Sequence, residues 1–187
     1  MEGKIVYFEK PGVENTEEVL RIAKQRAEEL GIKTIVVATT IGDTAVRAVE
    51  VFQGMKVIAV THVTGMKGPN IQEFTEENRQ EVESKGGIVL TTTHAFMGIG
   101  GAMRKKFNMQ GLGDVIANTL RTFGQGMKVV LEIAVMAADA GLVRTDEDII
   151  AIAGTGRGAD TAIVLRAVNT LDFFDLRVKE ILCKPHF

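Results

Sequence analysis

Short, unbroken apolar runs alternate along this chain with longer segments whose apolar residues recur every three or four positions. The runs KIVYF (4–8), KTIVVA (33–38), KVIAVT (56–61), GIVLTTT (87–93), IIAIA (149–153) and TAIVLRAV (161–168) predict strands, and RVKEILC (177–183) predicts a last one. Val19, Ala23, Ala27 and Leu30 share one helical face, with Asn15 and Glu18 at capping-box spacing before it and Gly31 after it. Ala45, Val46, Val49 and Phe52 mark a second helix, from Asp43 to about residue 53. Thr75, Glu76 and Glu77 open a third, which closes at Gly86. Residues 127–140 are apolar nearly all round, which predicts a buried helix. Lys128 and Glu132 stand four apart and can pair at its exposed start.

Strand–helix alternation of this kind predicts an α/β fold: a three-layer α/β/α arrangement around a mostly parallel mixed sheet. No helical pattern separates residues 149–153 from 161–168. A link that short joins antiparallel strands, so the last core strand should run against its neighbour. Two segments break the rhythm. Residues 63–74 and 93–114 are long, rich in glycine and methionine (Met66, Met97, Met103 and Met109), and each follows the end of a strand. They read as functional or mobile loops, with the methionines filling irregular gaps.

Composition narrows the function classes. The 187 residues, 45% of them hydrophobic, suit one α/β domain spanning 1–187 with short extra strands at both ends. With 22 Lys and Arg against 24 Asp and Glu, no broad basic face for nucleic acid or anionic membrane is expected. The chain opens into a strand-like run without a signal core, and its longest apolar stretch (127–143) carries three charges and is shorter than a membrane span. One cysteine, Cys183, forms no internal disulfide, which fits a reducing cytoplasmic setting.

Two loops are candidates for holding an anion, the first with a plain capped turn as its alternative and the second with a hairpin turn between antiparallel strands. In VVATTIGDTAV a buried strand ends at Thr39 and Thr40, Ile41 and Gly42 turn the chain, and Asp43 with Thr44 begins a helix. Free N–H groups and hydroxyls gather there, although the Asp43 charge opposes a phosphate unless it points away. In AGTGRGADTA, Gly154, Thr155, Gly156, Arg157 and Gly158 precede Asp160 and Thr161. The glycines allow close backbone approach, and Arg157 offers a fork-shaped donor. No helix follows, so this is not a dinucleotide fingerprint. His62 with Val63, and His94 with Phe96 and Met97, lie just beyond two further strands, where open α/β sheets hold ligands. No metal-ligand spacing, nucleophile elbow or Walker loop occurs, and a hydrogen-bonded structural role is the ordinary reading of a lone histidine.

The stretches TIVVATTIGDTAVRAVEVFQGMKVIAVTH and DEDIIAIAGTGRGADTAIVLRAV together resemble the C-terminal α/β domain of pyruvate kinase, from about residue 14 to 168. The resemblance implies the core order 3-2-1-4-5 with the last strand antiparallel, which sets the strands before Thr39 and Gly154 side by side. Both loops then meet at one switch point. It also implies no pyruvate kinase activity, since this sequence lacks the barrel that carries the kinase chemistry. Asp43 and Thr44 stand where effector-binding relatives have a basic residue and a serine, which speaks against sugar-bisphosphate regulation. The chain is most similar to stand-alone prokaryotic relatives, and by that likeness its implied ligand is flavin mononucleotide (FMN). Its ring would lie under the loops holding His62, Val63, Phe96 and Met97. The expected partner is therefore a phosphorylated small molecule or flavin nucleotide. The alternatives are a ligand-free interaction module paired through exposed helices, with a homo-oligomer open, and an enzyme on a small phosphorylated metabolite using His62 or His94.

Overall fold

A computed structural model describes residues 3–186. Its order of elements is β1 (Val6–Phe8), α1 (Thr16–Leu30), β2 (Thr34–Ala38), α2 (Asp43–Val51), β3 (Lys56–Val60), α3 (Glu76–Ser84), β4 (Ile88–Leu90), α4 (Gly98–Phe107), α5 (Leu112–Arg121), α6 (Gln125–Asp139), β5 (Asp148–Ala153), β6 (Thr161–Arg166) and β7 (Arg177–Pro185). The seven strands form one sheet in the order β1-β7-β6-β5-β2-β3-β4. Its middle, β4-β3-β2-β5-β6, is the expected core order. Every neighbouring pair is parallel except β5 with β6 and β6 with β7, so β6 alone runs against the rest of the described sheet.

Period-two alternation along the strands divides the core into two layers. Ile35 and Val37 of β2 join Ile150 and Ile152 of β5 under α1 and α2, where Leu20, Ala48 and Phe52 are fully buried. Val36, Ile149 and Ala151 face the other way, against α6 and Ala117 of α5. Cys183 sits in the first layer, and burial pushes its thiol up to about 12, which leaves it an inert apolar residue. No helix among the described residues is long and apolar enough to cross a membrane.

Three local expectations are corrected. Asn15 does not cap α1. Residues Val13–Asn15 form a 3-10 turn, and the Asn15 amide donates to the carbonyls of Lys10 and Gly12 instead. Residues 93–114, read as one loop, contain all of α4 and the start of α5. Gly98, Gly100 and Gly101 carry the poorest helix propensity short of proline and mask the α4 pattern, while no residue of α4 is buried to reveal a face. Lys128 and Glu132 do pair, but both are buried rather than at an exposed helix start. Glu132 also accepts the N–H of Phe96 at 3.1 Å, so the carboxylate ties α6 to the chain beyond β4.

Removing one member of a buried ion pair leaves the other charge uncompensated, at about 3–5 kcal/mol. Lys128→Met should therefore destabilise the protein by that order. Lys128→Met with Glu132→Gln, which keeps an acceptor for Phe96, should recover most of the loss. Urea unfolding of the two variants measures the difference.

Candidate functional site

The carboxyl ends of β2, β3 and β5 open into a cavity of about 390 Å³, roofed by α4, α5 and α6. That volume lies within the range of about 300–1,000 Å³ typical of small-molecule sites. Thr39, Thr40, Asp43 and Thr44 line it beside Gly154, Gly156, Arg157 and Gly158, so both candidate loops reach one crevice. They are joined there directly: Arg157 Nε donates to Asp43 Oδ2 at 2.9 Å. Asp43 Oδ1 in turn accepts the N–H of Thr44 at 3.0 Å, so the start of α2 already carries a carboxylate of its own. Arg157 makes no other recorded bond among the described residues, which leaves both of its terminal nitrogens for a ligand.

The glycine loop is built mainly for the protein's own packing. A Cβ on Gly154 would lie 2.5 Å from the carbonyl oxygen of Gly158, and one on Gly158 would lie 2.6 Å from Thr16 Oγ1 and Val13 Cα. Only Gly156, with φ +76°, has open space beside it. Asp160 and Thr161 are fully buried and do not line the cavity. The Asp160 carboxylate accepts the N–H groups of Gly12 and Thr155 and the hydroxyl of Thr161, and so shapes the loop from behind. Ile41 and Gly42 also lie behind the lining. The Ile41 carbonyl accepts from the Thr75 N–H and the Asn78 amide, which anchors the first loop to α3.

His62, His94, Phe96 and Met97 line the cavity on the β3 and β4 side. Thr61 and Thr91 share a hydroxyl–hydroxyl bond of 2.7 Å that staples these two strand ends. His62 Nδ1 lies 2.8 Å from Glu73 Oε2, and this bond, with Lys67 beside it, holds the Glu73 carboxyl below its ordinary range. The Val63 N–H donates to His94 Nε2 at 3.2 Å, and burial pushes the His94 ring below its usual imidazole range. Val63 thus contributes through its backbone. Phe96 packs edge-on against Phe173 at 5.3 Å, with Lys128 over its ring.

Residues far along the chain complete the lining, and the sequence reading did not assign them to the site. Arg104, Arg121, Lys128, Asp114 and Glu132 come from α4, α5 and α6. Four cations and three carboxylates line the cavity. Each carboxylate is paired, Asp43 with Arg157, Asp114 with Arg104 and Glu132 with Lys128. Arg121 is left over, bonded among the described residues only to the neutral amides of Gln125 and Asn118. Thr39, 6% exposed, presents a buried hydroxyl without a hydrogen-bond partner among the described residues, and Thr155 another behind the loop. Charged residues on an otherwise apolar helix were the one signal that could have drawn Lys128 and Glu132 into the site.

Residues 17–165 match the family model of the pyruvate kinase alpha/beta domain. Among solved structures, pyruvate kinase of Cryptosporidium parvum in complex with ADP is 16% identical, over 84% of this chain and 24% of that one, with a TM-score of 0.43. A further structure of pyruvate kinase from the same organism is 15% identical, over 85% of this chain and 23% of that one, with a TM-score of 0.41. The chain thus spans about a quarter of the length of these enzymes.

His94 makes stability depend on pH. Its folded-state ring binds a proton less readily than its ordinary value of 6.5, because burial, and to a lesser degree His62 and Lys128, oppose the charge more than Glu132 favours it. The unfolded chain then holds more protons below that value. The stability contributed by neutral His94 is fully present above about pH 6.5 and falls as pH drops toward the folded value, by at most about 1.4 kcal/mol per pH unit. His94→Gln keeps an acceptor for the Val63 N–H without titrating. The difference in urea stability between wild type and this variant should therefore shrink as pH falls from 7.5 to 5.

Proposed function

The chain belongs to the pyruvate kinase alpha/beta domain family, and from that premise we propose that its cavity binds a phosphorylated small molecule, with FMN as the named candidate. One observation carries the reading: three ion pairs cancel within the lining and leave Arg121 as a cation without a carboxylate among the described residues. An anionic ligand supplies the missing charge. The unpartnered Thr39 hydroxyl and the free terminal nitrogens of Arg157 add neutral and charged donors on the same side.

FMN fits this lining. Arg121, Arg157, Thr39 and Thr40 would hold its phosphate, and Met66, Met97 and Phe96 offer apolar surface for its ring. Bound FMN supplies redox chemistry. The protein's part is to bind and orient it, and Asp43 must share Arg157 with the phosphate. The exposed Arg157–Asp43 pair is worth only about 0–1 kcal/mol, so giving it up opposes binding little. On this reading the chain has no pyruvate kinase activity.

The spectrum of the freshly purified protein, with mass spectrometry of whatever denaturation releases, tests for a resident flavin. Titration with FMN and riboflavin then tests the anion end. Arg121→Ala and Arg157→Ala should each weaken FMN by a charge-assisted hydrogen bond, about 1.5–3 kcal/mol or roughly ten- to a hundredfold. Riboflavin, which lacks the phosphate, should bind wild type and both variants alike. Equal losses for the two ligands would mean that the arginines only shape the cavity, and no binding of either would remove FMN as the candidate.

A further inference from the structure

The cavity has a second end whose chemistry an anion site does not use. His62 and His94 stand beyond the carboxyl ends of the adjacent strands β3 and β4, their ring centroids 5.6 Å apart, and both line the cavity. The Thr61–Thr91 hydroxyl bond and the Thr61 N–H to the Leu90 carbonyl hold the two strand ends together, so the rings rest on a rigid base.

Their partners assign the two rings opposite roles. Glu73, with a side chain 6% exposed, is an ionised carboxylate held by His62 and Lys67, and an ionised carboxylate only accepts. His62 Nδ1 therefore carries the proton in that bond. In the neutral ring the lone pair then lies on Nε2, which has no partner among the described residues, on a side chain 39% exposed. His94 is reversed. Its Nε2 accepts the Val63 N–H, so the proton sits on Nδ1, which has no recorded acceptor among the described residues. Lys128, Glu132 and His62 are the charged and titratable groups acting on His94: its own burial, with His62 and Lys128, disfavours the charged ring, and Glu132 favours it, leaving a net lowered affinity for the proton. One ring can take a proton; the neighbouring ring can donate a hydrogen bond without being a cation.

We propose that this end of the cavity is an acid–base site for a phosphorylated α-hydroxy aldehyde or ketone, in which His62 Nε2 removes the proton from the carbon beside the carbonyl. This inference rests on the reading of the other end as a phosphate site. The C–H electron pair moves into a carbon–carbon double bond, and the carbonyl oxygen gains the negative charge, stabilised by a hydrogen bond from His94 Nδ1–H. Protonated His62 then returns a proton to the same carbon or, after the hydroxyl proton shifts, to its neighbour. The products are an exchanged substrate or its isomer. Atoms and electrons balance, and no co-reactant enters. Glu73 is a positioning residue, fixing the tautomer and orientation of His62.

The scale of the site suits the substrate class. From the β2–β5 crevice to the end of β4 is about two strand spacings, roughly 10 Å. A phosphate ester on a short carbon chain bridges that distance, with its phosphate at Thr39, Arg121 and Arg157 and its carbonyl at the histidines.

Exchange of carbon-bound hydrogen for deuterium in D2O, followed by proton NMR, tests the step. The probes are dihydroxyacetone phosphate, glyceraldehyde 3-phosphate and fructose 6-phosphate, with binding of each measured separately by calorimetry. Wild type should catalyse exchange of at least one probe that binds. His62→Gln should lower kcat for exchange by about 10²- to 10⁴-fold, the usual contribution of a general base, while probe affinity stays within about twofold. Glu73→Gln, whose amide can donate to Nδ1 and turn the lone pair away from the cavity, should lower kcat and leave KM unchanged. Arg121→Ala should show the opposite split, with KM raised. Circular dichroism confirms that each variant is folded. A probe that binds wild type without exchanging, phosphate release in place of exchange, or exchange that survives His62→Gln overturns the inference and leaves the phosphate site standing. A protein that purifies with FMN filling the cavity and shows no exchange does the same. Failure of every probe and of FMN to bind overturns both.

Discussion

A carboxylate with no water on it must be met by donors, and Asp160 sets that condition just behind the site. Its two oxygens take N–H groups from Gly12 and Thr155 and the hydroxyl of Thr161, at 2.8–3.2 Å. These donors come from the segment before α1, from the glycine loop and from the start of β6. One side chain therefore decides how three pieces of chain converge. The loop closes so tightly over it that Gly154 and Gly158 have no room for a Cβ, while Gly156 and Arg157 are left on the open side. Thr16 completes the arrangement by accepting the Ala159 N–H and donating to the Val13 carbonyl. Arg157 is left on the open side of this loop, where its Nε reaches Asp43.

The ion pairs around the cavity differ in how easily they yield. Arg157 and Asp43 meet through one bond at an exposed rim, so exchanging Asp43 for a ligand anion costs little. Lys128 and Glu132 are buried, and Glu132 also holds the Phe96 N–H, so separating them would strand a charge in the core. On the proposed reading, any rearrangement on binding would fall to the loops, with α6 as the fixed wall. The histidine end belongs with the fixed part, since the Thr61–Thr91 bond and Glu73 hold it without help from a ligand.

Strands and the helices α1 to α3 were legible because each carries its own period. β2 reads as a strand from TIVVA alone, and the Thr75 cap is visible three residues before the Asn78 N–H it accepts. The reversed strand was also legible, because a glycine loop without a helix leaves only an antiparallel return. Elements whose fate depends on distant partners were not. α4 buries no residue and includes three glycines, so nothing local marks it. Asn15 has the chemistry of a cap, but the turn before α1 offers its amide two carbonyls at once.

The same division runs through the site. Thr39, Thr40, Asp43 and Thr44, with Gly154, Gly156, Arg157 and Gly158, could be named from sequence as cavity candidates, because a candidate anion loop is marked by residue types within a few positions of a strand end. That both loops share one crevice followed from the family's strand order. The sequence by itself determined the α/β class, the antiparallel return and the loops at the strand ends, since local period and turn chemistry are properties of neighbours along the chain. Only the tertiary structure decided that Asp43 answers Arg157, that Glu73 orients His62, and that Arg121 is the cation left over. Those facts depend on which groups come within a few ångströms, 114 positions apart for Asp43 and Arg157 but 11 for His62 and Glu73, and charge pairing falls off with distance in space rather than along the sequence.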